Sequence, residues 1–550
     1  MADRIWWKLL VVGLVSGVVC FWGLGDRGLT NSEGHRVVPA AEFLERLDDG
    51  PTETGKKNDP GPLVPTMFET VYVRKPPGLP WAIAAVSAVF APDGSPNEWT
   101  ARSVGAASGV LMALAGVWFG QRWFKGGLAS GLAIALLPTA LSSVRSAEIE
   151  GLNNLATMLA VVTGVSLLAD ASRRHWAWAV GFGWSVVLVV LVKGPASLPV
   201  VGALIAGAAV ARRDWKVLAK PRLWASLLGA AAVLAWPAWV FLRAGRLDGA
   251  VSQGVDAFLF EPGRIARVAS LPFVSFAYQL PASIAPLFAF GWLATREMRA
   301  SERAWRKTTI VRALAWAWVI ALVVYTLSGV SNPRYTLPAA CLPALCVGYV
   351  VRGLTEWFVP LRRRVARVCL LGVRWAWLVP LVGFAVGYLM VEEPDRAEES
   401  GRSAGRSLGD ALAAIADDAN AGPGPIVVVA DGAIEARPEV LWYAERRAAE
   451  LDVDVTGHWA SGVPVADLLH MPNVEGRVVF LLRDDAGGRE ASALDEADSW
   501  RPFWSGEAGR FAFRAFVRTG RGAPGPRRVP VPDAVPVPDT PTGHDLSAGE

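Results

Sequence analysis

The sequence predicts a polytopic α-helical membrane protein with a small α/β domain near its C-terminal end. Three observations predict it. Of the 550 residues, 52% are hydrophobic and only 19% are charged, and the mean hydropathy is +0.33. The apolar residues come in runs of about 20, the length that crosses a hydrocarbon core as a helix. The chain holds 25 Trp, a residue that concentrates where hydrocarbon meets water. The net charge of +4 is small, and the basic residues cluster between apolar runs. That pattern speaks for membrane orientation and against nucleic acid as a partner.

In chain order, the apolar runs predict about 11 spans: residues 5–24, 101–119, 128–144, 152–169, 176–192, 196–210, 223–242, 271–293, 313–327, 337–351 and 368–390. Residues 5–24 are read as a retained helix and not a signal peptide, because no small-x-small cleavage site follows them. Residues 25–78 form a first polar loop, and the short apolar run 79–91 is predicted not to span. Lys and Arg favour cytoplasmic loops. With the N-terminus inside, nearly every dense basic cluster falls inside: Arg122/Lys125, Arg173/Arg174, residues 212–222, 296–312 and 352–367. The C-terminal region is then external.

Beyond residue 390 the pattern changes. Residues 407–418 and 438–449 read as helices, and residues 426–430, 478–482 and 511–517 read as strands. The expected domains are a membrane domain over 1–391, an α/β domain over 392–521 and a Pro-rich disordered tail over 522–550. Cys20, Cys341, Cys346 and Cys369 lie in or beside apolar runs without zinc-ligand spacing, and are read as small buried hydrophobes.

The parity of the spans places four polar elements on the outer side. They are the first loop, residues 145–150, the corner Lys193-Gly194-Pro195 and the corner residues 331–335. Glu33, in Asn31-Ser32-Glu33-Gly34-His35-Arg36, is either a solvated loop acid or a general base at the membrane face. Lys75 precedes Pro76 and Pro77, which stiffen the loop and hold an ammonium in place. Arg145, Glu148 and Glu150 open a span, where one acid is explained by helix capping and two acids with an arginine are not. Lys193, Arg334 and Tyr335 are either interface anchors or phosphate contacts. Arg264 and Arg267 are weaker candidates of the same kind. His35 lacks the neighbours of a metal ligand, and the sequence has no nucleotide-binding loop, nucleophile elbow or zinc motif.

In these residues the chain resembles the GT-C superfamily of membrane glycosyltransferases, and within it the aminoarabinose transferases and protein O-mannosyltransferases. The matching pieces are Ser32-Glu33, Pro65 through Lys75-Pro76-Pro77, Arg145 through Glu150, Lys193-Gly194-Pro195, and Pro333-Arg334-Tyr335 through Pro338, spread over residues 1–350. The resemblance implies a GT-C-like fold in the inner membrane and transfer of a sugar from a polyprenyl-phosphate donor. The acceptor would be an envelope lipid, glycan or protein at the outer face, and no cofactor would be needed. It implies Glu33 as base, with Glu150 orienting a substrate. Lys75, Lys193 and Arg334 would hold the donor phosphate. The superfamily's first-loop motif is commonly Asp-Glu, where this chain has Ser32-Glu33. Arg74 and the run Glu261-Pro262-Gly263-Arg264 stand where aminoarabinose-type members carry metal ligands, so no bound metal is expected. The rival readings are a non-catalytic polyprenyl-phosphate binder and a secondary transporter. A transporter is disfavoured because the charged groups sit at span ends and not at mid-membrane.

Overall fold

The computed structural model describes residues 3–48, 63–68, 70–72, 75–169, 175–248, 264–280, 282–290, 302–328, 333–358, 378–391, 396–416, 426–430, 437–459, 477–483, 500–508 and 511–518. These form two units. One comprises residues 1–28 and 35–394, and the other residues 29–34 and 395–550.

The first unit is helical. Helix α1 (Asp3–Phe21) is followed by α2 (Asn31–Asp48), which occupies much of the stretch expected as a polar loop. The loop reading missed α2 because its apolar positions are few and Pro39 lies inside it. A two-stranded hairpin, β1 (Thr66–Met67) and β2 (Thr70–Val71), leads to α3 (Gly78–Phe90). With 13 residues, α3 is too short to span upright. Helix α4 (Glu98–Trp123) starts at a capping box formed by Asn97 and Thr100. Helices α5 (Gly127–Ala135), α6 (Pro138–Val144), α7 (Ile149–Ala169), α8 (His175–Lys193) and α9 (Leu198–Arg212) follow. Then come α10 (Pro221–Asp248), α11 (Arg264–Tyr278), α12 (Ala285–Phe290), α13 (Glu302–Leu327), α14 (Cys341–Phe358) and α15 (Leu378–Val391).

Among the described residues, six helical stretches are long and apolar enough to cross a membrane: Glu98–Trp123, Ile149–Ala169, Trp176–Arg212, Pro221–Val240, Thr308–Leu327 and Arg334–Gly353. Two of the expected spans are broken helices. The run 128–144 breaks between α5 and α6, ahead of Pro138, whose ring prevents an unbroken helix. The run 271–293 breaks after Tyr278, and a 3-10 turn at Ala282–Ile284 precedes α12. Residues 368–377 lie outside the described residues.

Helix α8 shows why these helices belong in lipid. Trp176, Val180, Trp184 and Leu188 recur every four residues and are exposed, while Ala179, Phe182, Val186 and Val187 are buried against other helices. An apolar stripe open to the outside suits hydrocarbon and not water. Inside the bundle, small residues let backbones meet. A Cβ on Gly207 of α9 would come within 2.6 Å of the Ala313 carbonyl oxygen in α13.

Arg102 is 1% exposed and ties α4 to the chain leaving α1. It donates to the carbonyls of Leu24 (3.1 Å), Arg27 (2.9 Å) and Gly28 (2.6 Å). These acceptors satisfy a guanidinium that burial would otherwise penalise heavily.

The second unit is α/β. It holds α16 (Arg396–Ala416), β3 (Ile426–Ala430), α17 (Pro438–Glu450), β4 (Val455–Trp459), β5 (Arg477–Arg483), β6 (Trp500–Ala508) and β7 (Phe511–Arg518). The strand order is β4-β3-β5-β7-β6. Strand β3 pairs in parallel with β4 and β5, and β7 pairs antiparallel with β5 and β6. All five residues of β3 are buried, as expected of a strand inside the sheet. Helix α16 lies against α17, where Gly405 leaves room for Tyr443, and Trp504 of β6 donates to Ser407 (3.2 Å). The expected strands at 426–430, 478–482 and 511–517 are present, while β4 and β6 were not expected. The tail 522–550 lies outside the described residues.

Candidate functional site

Charged groups in the membrane unit gather where several helices end. Glu150 lies in the first turn of α7 and is 5% exposed. Isolated, such a carboxylate would cost several kcal/mol. Here Arg334 grips it in a fork, with Nε 2.7 Å from Oε1 and Nη2 2.9 Å from Oε2. Lys193 Nζ donates to the same Oε1 at 3.2 Å. Glu148 also accepts from Arg334 Nη2. With both oxygens engaged by cations, Glu150 is suited to position them and poorly suited to accept a proton.

Local sequence explains the convergence. Lys193 ends α8, and Gly194 follows at φ +68°, a left-handed conformation that side chains resist. The turn runs through Gly194–Ser197 into α9. It is pinned by Tyr325, which donates to the Ala196 carbonyl at 3.0 Å, and by reciprocal hydrogen bonds between Asn153 and Ser197. The loop bearing Lys75 docks on the same corner. A Cβ on Gly78 would come within 2.6 Å of the Leu191 carbonyl oxygen, and Pro76 Cγ lies 3.7 Å from the Cβ position of Gly194. Arg334 and Tyr335 open the 3-10 helix Pro333–Ala340, and the Lys193 ammonium sits 5.0 Å from the centre of the Tyr335 ring.

Burial pushes the Lys75 pKa down, and the nearby charges of Arg36, Lys193 and Arg334 push the same way, with Glu150 opposing them. Among the named groups, cations outnumber carboxylates. A cluster held in this balance gains by admitting an anion.

Arg36 is the residue that sequence reasoning passed over. It is 8% exposed and donates to Tyr72 Oη at 3.1 Å, and His35 stacks on the Tyr72 ring with centroids 5.9 Å apart. Had 31–48 been read as a helix, Arg36 would have stood beside the first loop's other polar residues on a defined face.

Two expected contacts find different surroundings. Arg145 donates through Nη1 to the carbonyls of Val19 (3.0 Å) and Trp22 (2.8 Å), so it closes the C-terminal end of α1. Glu33 belongs to the second unit. It is 1% exposed and completes a capping box: the Thr30 amide donates to its Oε2 at 2.9 Å, and its own amide donates to Thr30 Oγ1 at 3.2 Å. Within the same unit, the Glu439 carboxyl is pushed up to about 7 by burial, against the pull of Arg437 and with a smaller push from Glu33. Arg264 begins α11, and its side chain lies outside the described residues, as do Arg74 and residues 261–263. Among the described residues, no group of three His, Cys, Asp or Glu side chains is placed to hold a metal.

Comparison with known proteins extends this geometry. Residues 74–241 match the family described as dolichyl-phosphate-mannose-protein mannosyltransferase. No curated protein matches the chain. The crystal structure of ArnT from Cupriavidus metallidurans in the apo state aligns with a TM-score of 0.60 at 16% identity, covering 94% of this chain and 98% of that one. ArnT from the same organism bound to undecaprenyl phosphate aligns with a TM-score of 0.58 at 14% identity, covering 92% and 97%. The matched segment contains Lys75, Glu148, Glu150 and Lys193, and the structural match runs through both units. The chain has the fold of the ArnT crystal structures.

Proposed function

We propose that the chain transfers a sugar from a polyprenyl-phosphate donor to an envelope lipid, glycan or protein acceptor. The observation that carries this reading is the meeting of Lys193 and Arg334 on Glu150, with Lys75 in reach of their charges and of Arg36. In the reaction, the bond from the anomeric carbon to the phosphate oxygen breaks, and the electron pair leaves with the lipid phosphate. The cations offset that developing charge. An acceptor oxygen or nitrogen bonds to the anomeric carbon and gives its proton to a base. Glu33 is assigned as that base on its chemistry and on the superfamily resemblance. Lys75, Lys193, Arg334 and Tyr335 are assigned to the phosphate, with Glu150 and Glu148 as positioning residues. The donor class is supported by the undecaprenyl phosphate in the ArnT crystal structure and by the dolichyl-phosphate chemistry of the matched family.

The direct test is binding of undecaprenyl phosphate to the purified full-length protein. Lys75→Ala removes one cation from the phosphate and should weaken binding about 10- to 100-fold, the worth of one charged hydrogen bond of about 1.5–3 kcal/mol. Unchanged binding in both Lys75→Ala and Lys193→Ala would remove this cluster as the donor site.

A second reading, a polyprenyl-phosphate binder without catalysis, is favoured by one observation. The capping box gives Glu33 a structural role that needs no reaction.

We place the chain in the inner membrane with its C-terminal unit outside, on the distribution of basic loops. Reporter fusions after Arg213 and after Arg306 should then read as cytoplasmic, and fusions after Met390 as external. A cytoplasmic signal after Met390 would invert this orientation.

A further inference from the structure

A separate cleft of about 900 Å³ opens at the far end of the same helices. Glu150 and Lys193 mark one end of α7 and α8, whereas this cleft lies beside the last turns of α7 and α9 and the first turns of α10 and α13. A helix of the 21 residues of α7 is ~30 Å long, so a full hydrocarbon thickness separates the two places. The cleft walls are apolar and include Val165, Leu204, Ala208, Ile310 and Ala313.

Its lining also includes basic residues. Arg212 Nη2 and Lys220 Nζ both donate to the Leu168 carbonyl, at 2.8 and 3.0 Å, which holds them beside the end of α7. The Arg222 guanidinium stands 5.6 Å from the centre of the Trp176 ring. Among the described residues lining the cleft, Asp214 is the one acidic residue, and it accepts from the Lys216 amide at 3.0 Å. Burial pushes the Lys220 pKa down, as do the charges of Arg212 and Arg222, against the opposing pull of Asp214. The cations therefore repel one another beside apolar walls, and an anion with an apolar tail relieves the repulsion and covers the walls. Trp176 is exposed, as a residue at the level of lipid headgroups is expected to be.

We propose that this cleft binds an anionic phospholipid, with one acyl chain against Val165, Leu204 and Ala208 and its phosphodiester against Arg212, Lys220 and Arg222. Basic pockets between helices are suited to anionic headgroups. A soluble anion would satisfy the cations and leave the apolar walls uncovered. The site stands whatever reaction occurs at Glu150, because it shares none of that cluster's residues.

The test is native mass spectrometry of the full chain released from detergent. The probes are phosphatidylglycerol and phosphatidylcholine of equal chain length, and a short-chain phosphatidylglycerol. The long-chain anionic lipid should be retained as a one-to-one complex and the zwitterionic one lost. Arg222→Gln, at an exposed position, and Lys220→Gln should each lower retention by roughly fivefold, the worth of one basic residue near an anionic headgroup. Short-chain phosphatidylglycerol should bind more weakly than the long-chain form. Equal retention of the two headgroups, or undiminished retention in both folded variants, overturns the proposal. Displacement by inorganic phosphate, or equal binding of short and long chains, overturns the acyl-chain contact and leaves a simple anion site.

Discussion

Under the proposed function, Glu33→Gln should lower sugar transfer by about 10²- to 10⁴-fold, the usual worth of a general base, and leave the fold intact. The two halves of that expectation have separate causes. Glutamine serves in a capping box as glutamate does, because its side-chain oxygen still accepts the Thr30 amide. It cannot take a proton from an acceptor hydroxyl or amine. The substitution therefore removes the base and keeps the cap. Glu33→Ala removes the base and the acceptor of the Thr30 amide, while the Thr30 hydroxyl still caps α2, and should add a stability loss of about 1 kcal/mol from that amide. Undecaprenyl phosphate binding should be unchanged in Glu33→Gln, since the base acts on the acceptor. Near-normal transfer by this variant would leave Glu33 as a helix cap alone. No transfer by the unaltered chain over a broad donor and acceptor panel, with donor lipid still bound, would establish the binder reading.

Glu150→Ala has the largest expected effect on stability. Its carboxylate is 6% exposed at the side chain and its partner Lys193 11%. Removing one member of a buried pair leaves the other charged and uncompensated, at a cost of about 3–5 kcal/mol. The loss is compounded here because Lys193 and Arg334 both lose their shared carboxylate, and Arg334 is left with Glu148. A bound lipid phosphate would restore a negative charge among them. Undecaprenyl phosphate should therefore raise the melting temperature of folded Glu150→Ala by more than it raises that of the unaltered chain. An unchanged melting temperature would show that the carboxylate does not hold this corner together.

The architecture was legible where one residue type dominates a run. The strands at 426–430 and 478–482 stood out as short apolar runs, and the one at 511–517 by its alternation. Strand β6 was missed because Pro502, Gly506 and Glu507 disguise it, and β4 because Gly457 and His458 do. Hydropathy also hid the break at Pro138, since proline among apolar residues barely changes a window average. In the site, Lys193-Gly194-Pro195 could be read as a corner because glycine and proline punctuate two apolar runs. The meeting of Lys193 and Arg334 on Glu150 could be suspected only from span parity, because it joins residues 184 apart in the chain. The partners of Arg102 and Arg145 were not legible at all. Backbone carbonyls carry no sequence signature, and an arginine that binds them looks like one that awaits a phosphate.

Those two arginines give the membrane unit two kinds of joint that differ under substitution. The Glu150 corner is built from side chains, so a change at Glu150, Lys193 or Arg334 removes a contact. The exit of α1 is gripped through the carbonyls of Val19, Trp22, Leu24, Arg27 and Gly28, which every residue type carries. The corner can therefore change its chemistry by single substitutions while the frame beside it keeps its acceptors whatever side chains occupy those five positions.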